Sequence, residues 1–390
     1  MNISLVDLDR VQDSIENARG MPNRYYTDLD AYAEERDALF ADQWACAAFA
    51  SDVPEAGCVY PVQLAGMPLL VVRDKQDTIR VFHNVCSHRG VKLAEQPEKL
   101  AGMLCCPYHS WTYDLTGKLI ATPHVGGVGQ HKVEGLACEE HGLKEIRSTI
   151  WMGLIFVDLT GNAGAFEDRL APLFARWDEF FPSRQYDMLE ADPDSGSWEL
   201  ELNCNWKLAV ENYCEAYHLP WIHPALNTYS KLEDHYNIVD ESFSGQGSHA
   251  YRLSDFEGYQ LPVLPGWPEA RQQNAEYISL YPNVLLGLQA DHAFAMILLP
   301  QGPEKTIERL RLYYMPGVVG QSETATARQS VLDAWQEVFT EDVGVVEAMQ
   351  RGRHSPGFDG GKFSPVMDPP THAFHKWVAK KLQQHHEDAR

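Results

Sequence analysis

Cys86-Ser87-His88 and Cys106-Pro107-Tyr108-His109 form a C-x-H…C-x-x-H pattern with seventeen residues between the two halves. Short β-rich runs flank both, which places the four side chains at turns between strands. Two thiolates can hold one iron while two neutral imidazoles hold a second, a mixed ligand set for a [2Fe–2S] cluster. Two Cys and two His also satisfy tetrahedral zinc, but zinc fingers usually pair C-x-x-C with H-x-x-x-H. Here each half supplies one residue of each kind, which favours the cluster. Cys105 adjoins Cys106, projects to the opposite face of an extended segment and is read as packing.

Around this pattern, residues 44 to 158 hold Val59-Tyr60-Pro61-Val62, Leu69-Leu70-Val71-Val72, Ile79-Arg80-Val81-Phe82 and Gly153-Leu154-Ile155-Phe156-Val157. All four read as strands of an all-β module. Before it, residues 27–43 read as a helix capped by Asp28 or Asp30. After it, the polar stretch from Asp158 to Asp168 reads as a boundary. The expected organisation is an arm over 1–43, the cluster domain over 44–160 and a second domain over 161–390. That second domain mixes helices at 205–218 and 329–350 with strands at 277–300 and 306–315, an α+β pattern with an antiparallel sheet.

A second constellation lies in Asn205-Trp206-Lys207-Leu208-Ala209-Val210-Glu211-Asn212-Tyr213-Cys214-Glu215-Ala216-Tyr217-His218. Read as one helix, it puts Glu211, Glu215 and His218 on one face. Pro220 then ends the helix, and His223 reaches back from the turn. Two histidines need a hard oxygen ligand to complete a mononuclear iron site. The expected ligand is Asp342, which lies inside the apolar stripe Leu332, Trp335, Val338, Phe339, Val345, Val346 and Met349. A carboxylate on a buried face needs a compensating partner. Asp342 is favoured over Glu341, which sits nearer the edge of the stripe. With sixteen histidines in the chain, an H-x-x-x-x-H pair is weak evidence alone. Its weight comes from co-occurrence with the cluster pattern and with the carboxylates.

The two motifs in this order resemble the Rieske non-haem iron oxygenases, the family of aromatic-ring-hydroxylating dioxygenase large subunits. The resemblance spans roughly residues 40 to 378. It implies a Rieske [2Fe–2S] β-sandwich followed by a helix-grip catalytic domain, with O₂ as co-substrate at the ferrous iron. It further implies a homotrimer in which Glu215 links His109 of one subunit to His218 of the next. Tyr217 and Asn212 are then expected beside the iron ligands. Glu at 215, where many arene dioxygenases carry Asp, and Glu211, where many carry Asn, look more like the quaternary-ammonium branch. That branch includes glycine betaine, carnitine and proline betaine monooxygenases. In this reading the stretch Tyr277 to Leu299 lines the substrate cavity, and Trp221, Tyr229 and Tyr236 contribute a cation–π cage. Aromatic-ring dihydroxylation stays open as the alternative. A non-catalytic Rieske electron carrier would leave His218, His223 and Asp342 without a reason.

Composition sets the outer bounds. The net charge of -23, from 32 Lys and Arg against 55 Asp and Glu, argues against a nucleic-acid partner. It mildly favours cationic ligands, and a salt-adapted host would explain it equally well. No apolar run approaches the roughly 20 residues that cross a bilayer, and the opening residues do not resemble a secretory signal. Eight scattered cysteines fit reduced thiols and metal ligands in a cytoplasmic protein. Gly126, Gly127 and Gly129 do not have the spacing of a dinucleotide loop. Electrons are therefore expected from a separate NAD(P)H reductase with flavin, ferredoxin or both.

Overall fold

A computed structural model describes residues 5–181, 186–193 and 198–388. The chain divides into two compact units, Trp44–Ala163 and a second that joins the residues up to Gln43 with those from Gly164 onward.

The first unit is built from runs rich in Val, Leu and Ile that bury one or both faces. Strands β1 (Ala45–Phe49), β2 (Cys58–Leu64), β3 (Met67–Arg73), β4 (Ile79–His83), β5 (Glu98–Lys99), β9 (Glu145–Trp151) and β10 (Leu154–Asp158) form an antiparallel sheet in the order β1-β10-β9-β4-β3-β2-β5. Strands β6 (Met103–Cys105), β7 (Thr112–Asp114) and β8 (Leu119–Ala121) form a small sheet of their own. One core serves both: Leu70, Val72 and Phe82 of the large sheet pack with Leu104, Tyr113 and Leu119 of the small one. Cys86 and Cys106 belong to that core, so the loops that carry them are anchored from within.

The second unit carries a long antiparallel sheet. Strands β11 (Glu190–Ala191), β13 (His235–Val239), β14 (Phe243–Ser248), β15 (Ala275–Leu280), β16 (Val284–Leu288), β17 (Ala293–Gly302) and β18 (Lys305–Tyr314) run in the order β11-β18-β17-β16-β15-β14-β13, and β12 (Glu199–Leu202) pairs with β18. The apolar stretch 277–300 is thus three strands with two turns. The helix Ser322–Gly352 runs past the helix Trp206–Tyr213, and the helix Pro369–Asp388 packs on β13 and β14. This is the mixed helix and antiparallel-sheet class expected from the sequence. The buried stripe of Ser322–Gly352 differs at its end: Met349 is exposed, whereas Gln350 is buried, accepting from Asn205 N–H and donating to the Tyr26 carbonyl.

Two expectations about helices fail. The stretch 27–43 is broken into Arg24–Thr27, Leu29–Glu35 and a wider turn over Arg36–Ala41, with Asp28 capping the Ala31 N–H at 2.9 Å. More consequentially, 205–218 is not one helix. It runs Trp206–Tyr213 and breaks, and a short turn Leu219–Ile222 follows. A helix running on through Pro220 would drive its ring into the carbonyl of Ala216; Pro220 sits instead in the first turn of the short segment that follows His218. Glu211 therefore parts company with Glu215 and His218.

Glu211 instead holds the unit together. Tyr26 donates its hydroxyl to Glu211 Oε1, Arg353 donates to Oε2 at 3.3 Å, and His375 Nε2 lies 3.1 Å from Oε1. Nearby, Lys207 Nζ is fully buried and donates to Glu35, to the Tyr25 carbonyl at 2.7 Å and to Asn205 Oδ1 at 2.8 Å. Burial works against the Glu211 charge, but His375, Arg353 and Tyr26 outweigh it and hold the carboxyl at about 2. A depressed carboxyl contributes stability above its unfolded value near 4.5 and loses it as pH falls towards 2. Glu211→Gln should therefore lower stability at pH 7 by up to about 3 kcal/mol. The gap should close between pH 4.5 and 2. Denaturant midpoints of both proteins at pH 7, 4 and 2.5 check this, and a gap that persists at the lowest pH would contradict it.

Candidate metal centres and the cavity beside them

The first unit presents its C-x-H and C-x-x-H segments on two loops of matching construction. Cys86 N–H donates to Val91 O at 2.8 Å and Gly90 N–H to Cys86 O at 2.9 Å. In the other loop Cys106 N–H donates to Trp111 O at 2.8 Å and Ser110 N–H to Cys106 O at 3.0 Å. The residue four after each cysteine is left-handed, Gly90 at φ 70° and Ser110 at φ 55°. Glycine takes that conformation freely, whereas serine is strained in it. Both cysteines are buried, and the His88 and His109 ring centroids lie 4.8 Å apart. Trp111 stacks on His88 at 4.7 Å and an interplanar angle of 7°. His109 Nδ1 is buried without a hydrogen-bond partner among the described residues. Two thiols and two imidazoles on one pair of loops, one ring nitrogen orphaned, fit a mixed-ligand cluster. Cys105 does face away, near Thr112, but it is exposed rather than packed.

The sulfur environment is polar on one side. Tyr113 Oη lies 3.2 Å from Cys86 Sγ and 2.8 Å from Ser87 Oγ, and it accepts from Ser87 N–H at 3.1 Å. Ser87 directs its own hydroxyl hydrogen to the His141 carbonyl at 2.7 Å. The Tyr113 hydrogen is thus left for Ser87 Oγ or for the Cys86 sulfur.

In the second unit the break before Pro220 turns Glu215 and His218 together. Glu215 Oε2 accepts the N–H groups of Tyr217 and His218, and Gln246 Nε2 donates to the Glu215 carbonyl at 3.1 Å. His218 Nδ1–H donates to Glu215 Oε1 at 2.7 Å. His223 Nδ1–H donates to Glu341 Oε2 at the same distance. Each imidazole is thereby fixed with Nε2 turned the other way, towards Asp342. His223 Nε2 lies 2.9 Å and His218 Nε2 3.8 Å from Asp342 Oδ1. One ligand atom from each of His218, His223 and Asp342 falls within 4.8 Å of the others, a grouping that could hold a metal ion.

This donor set fits a divalent cation. Asp342 Oδ1 is buried and accepts no hydrogen bond among the described residues, although it faces two imidazole nitrogens. Burial disfavours the charged form of His223, yet Asp342 and Glu341 outweigh it and raise the imidazole above its ordinary value. The pocket therefore draws in positive charge. Carboxylates on the outer nitrogens of both histidines are the usual support for metal-binding imidazoles.

The other expected residues divide. Asn212 lines the cavity beside Asp342, whereas Glu211 points into the buried cluster described above. Tyr217 is 46% exposed, its ring set edge-on to Trp221, so only its N–H serves the site. The expected aromatic cage is not formed. Trp221 is 68% exposed, Tyr229 packs on Tyr251 and Phe256, and Tyr236 bonds to Glu276. Gly247 makes the last placement possible, because a Cβ there would lie 2.2 Å from the Tyr236 ring. Of the stretch 277–299, Tyr277 faces this cavity and Leu285 the hollow behind Asp342; most of the rest is sheet core. Trp335 and Phe339 of the apolar stripe, whose place beside the site was not expected, complete the cavity with Tyr213. Glu341 supports His223, and strand register sets Gln246 opposite Tyr277. The spacing of Trp335, Phe339 and Asp342 at i, i+4 and i+7 was the available signal for the rings.

Comparison with known proteins agrees with this architecture. Residues 43–142 match the Rieske [2Fe-2S] domain, and residues 191–384 match the ring hydroxylating alpha subunit catalytic domain. The chain belongs to the Rieske oxygenases. It is 28% identical to the glycine betaine monooxygenase oxygenase subunit of Chromohalobacter salexigens, over 96% of this chain and 89% of that one. It is 25% identical to the carnitine monooxygenase oxygenase subunit of Escherichia coli strain K12, over 88% and 87%. The crystal structure of a quaternary ammonium Rieske monooxygenase in complex with an inhibitor shares the fold, with a TM-score of 0.77 at 21% identity over 99% of both chains. The oxygenase is accordingly an oxidoreductase, and no helix among its described residues is long and apolar enough to cross a membrane.

Two outcomes follow for the oxygenase. Tyr113→Phe should keep the cluster's visible spectrum but lower its potential by roughly 40 mV, equivalent to one lost hydrogen bond of about 1 kcal/mol. An unchanged redox titration would exclude a bond to the Cys86 sulfur. Glu341→Gln should bind iron 10- to 100-fold more weakly, whereas Asp342→Ala should lose it altogether. Iron content after graded chelation separates the two, and full retention in Asp342→Ala would overturn the ligand assignment.

Proposed function

We propose that the chain is the oxygenase component of a multicomponent monooxygenase acting on a small quaternary ammonium compound. Cys86, His88, Cys106 and His109 hold the cluster; His218, His223 and Asp342 hold the iron. Bound there, the cluster would relay single electrons and the ferrous iron would supply O₂ activation. The observation that carries the reading is the convergence of two carboxylate-supported imidazoles and Asp342 beside a cavity walled by aromatic rings. Relatives named for betaine and carnitine oxidation across most of the chain support the substrate class.

Each residue has a physical task in this reading. Glu215 and Glu341 fix the tautomers of His218 and His223, so that both present Nε2 to the iron. Tyr213, Tyr277, Trp335 and Phe339 exclude water and hold the substrate before oxidation begins. Asn212 faces the same space and positions a polar group of the substrate. Glu215 also links the two centres: in a cytoplasmic homotrimer it would hydrogen-bond His218 on one side and the partner subunit's His109 on the other. A separate NAD(P)H-dependent reductase delivers the electrons.

Supplied with such a reductase and O₂, the protein should oxidise trimethylated amines and release formaldehyde or a hydroxylated amine. Formation of cis-diols from arenes, with quaternary amines untouched, would replace this reading by the dioxygenase one. Glu215→Gln should retain both metals yet lower turnover at least tenfold. Single-turnover rates with a pre-reduced cluster test it, and wild-type transfer would remove the bridging role.

A further inference from the structure

The cavity beside His218, His223 and Asp342 is lined in a lopsided way. Four rings border it, and its other polar groups are neutral: Asn212, Ser230, Gln246 and His235. Burial disfavours the charged form of His235, only partly opposed by its bond to Gln246. Among the described residues no Arg or Lys lines this space.

Trp335 is held more firmly than a packing residue requires. Its Nε1–H donates to His292 Nε2 at 2.9 Å. His292 Nδ1–H donates in turn to Asp291 Oδ1 at 2.6 Å. The carboxylate fixes the imidazole tautomer that accepts from the indole, and the polarisation runs from Asp291 through His292 into the ring. His292 and Trp335 are both buried. Trp335 also shares its helix face with Phe339 and Asp342, so one element presents the ring and the expected iron ligand to the same cavity.

A quaternary ammonium group has no N–H to donate, and aromatic faces are its strongest neutral partners. A carboxylate enclosed in the same space would lack a cation, at considerable cost. The metal would be its remaining partner, at positions that O₂ needs. We propose that this pocket selects a quaternary ammonium compound of net positive charge with a neutral polar arm, an alcohol rather than an acid. Trp335 is the specificity-determining ring, and His292 with Asp291 is the pair that positions it. This rests on the quaternary-ammonium reading and narrows it to one charge class. The net charge of -23 acts in the same direction by favouring the approach of cations.

Equilibrium binding to the oxidised holoenzyme, where no turnover occurs, tests the proposal with three probes. They are choline, glycine betaine and 3,3-dimethylbutan-1-ol, the uncharged carbon isostere of choline. Choline should bind at least tenfold more tightly than either of the others. Trp335→Leu should erase the advantage of choline over its isostere. Asp291→Asn, which preserves shape and packing, should reduce that advantage about threefold and leave isostere binding unchanged. Glycine betaine binding as tightly as choline would overturn the charge selection. Equal weakening of choline and isostere in both variants would reduce Trp335 to packing. Binding of naphthalene but of none of the three probes would instead overturn the quaternary-ammonium reading itself.

Discussion

A proline ring that cannot share space with a carbonyl four residues back sets the local geometry of the catalytic unit. A helix that ran on through Pro220 would press the ring against the Ala216 carbonyl; instead the chain turns between Tyr213 and Leu219, and Pro220 sits in the first turn of a new short helix. That turn swings Glu215 and His218 away from the face that Glu211 occupies. Glu211 is then free to bind Tyr26, Arg353 and His375 in the interior. Two carboxylates four residues apart acquire opposite duties, one structural and one at the site. Gln246 secures the arrangement from the sheet by holding the Glu215 carbonyl.

Electrostatics explain why the site is built from adjacent acids. Glu341 and Asp342 are neighbours on one helix, and they meet opposite nitrogens of His223. Glu341 takes the proton-bearing nitrogen and Asp342 faces the lone pair. A proton or a metal ion can answer the charge gathered there; an empty pocket would leave it uncompensated. Consecutive residues on a helix point about 100° apart, which lets one turn serve both sides of a ring lying between them.

Much of this was legible in the residues, and the rest was hidden for physical reasons. The C-x-H…C-x-x-H spacing is local, so it survives any error in the surrounding strands. Asp342 was legible because a carboxylate inside an apolar stripe needs an explanation. The helix over 205–218 misleads because periodicity marks faces without marking breaks. Trp221, Tyr229 and Tyr236 are near the expected iron ligands in sequence only. Pocket walls come from distant strands and helices: helical spacing joins Trp335 and Phe339 to Asp342, but nothing local announces that Tyr213 and Tyr277 will meet them. In sequence Glu341 looks like a rival to Asp342, although a supporting acid and a ligating acid are expected to occur together.

The partners of Lys207 have a consequence for how the chain is made. Tyr25 and Glu35 leave the ribosome ahead of the Rieske unit, and the Lys207 ammonium, which Glu35 neutralises and which donates to the Tyr25 carbonyl, follows only after that whole unit has been synthesised. Domains tend to fold as they emerge. The Rieske unit can therefore close while the leading segment still awaits its counterion. That segment must stay soluble in the interval, and its run of acids, from Asp28 to Asp37, suits a stretch of chain kept waiting in water.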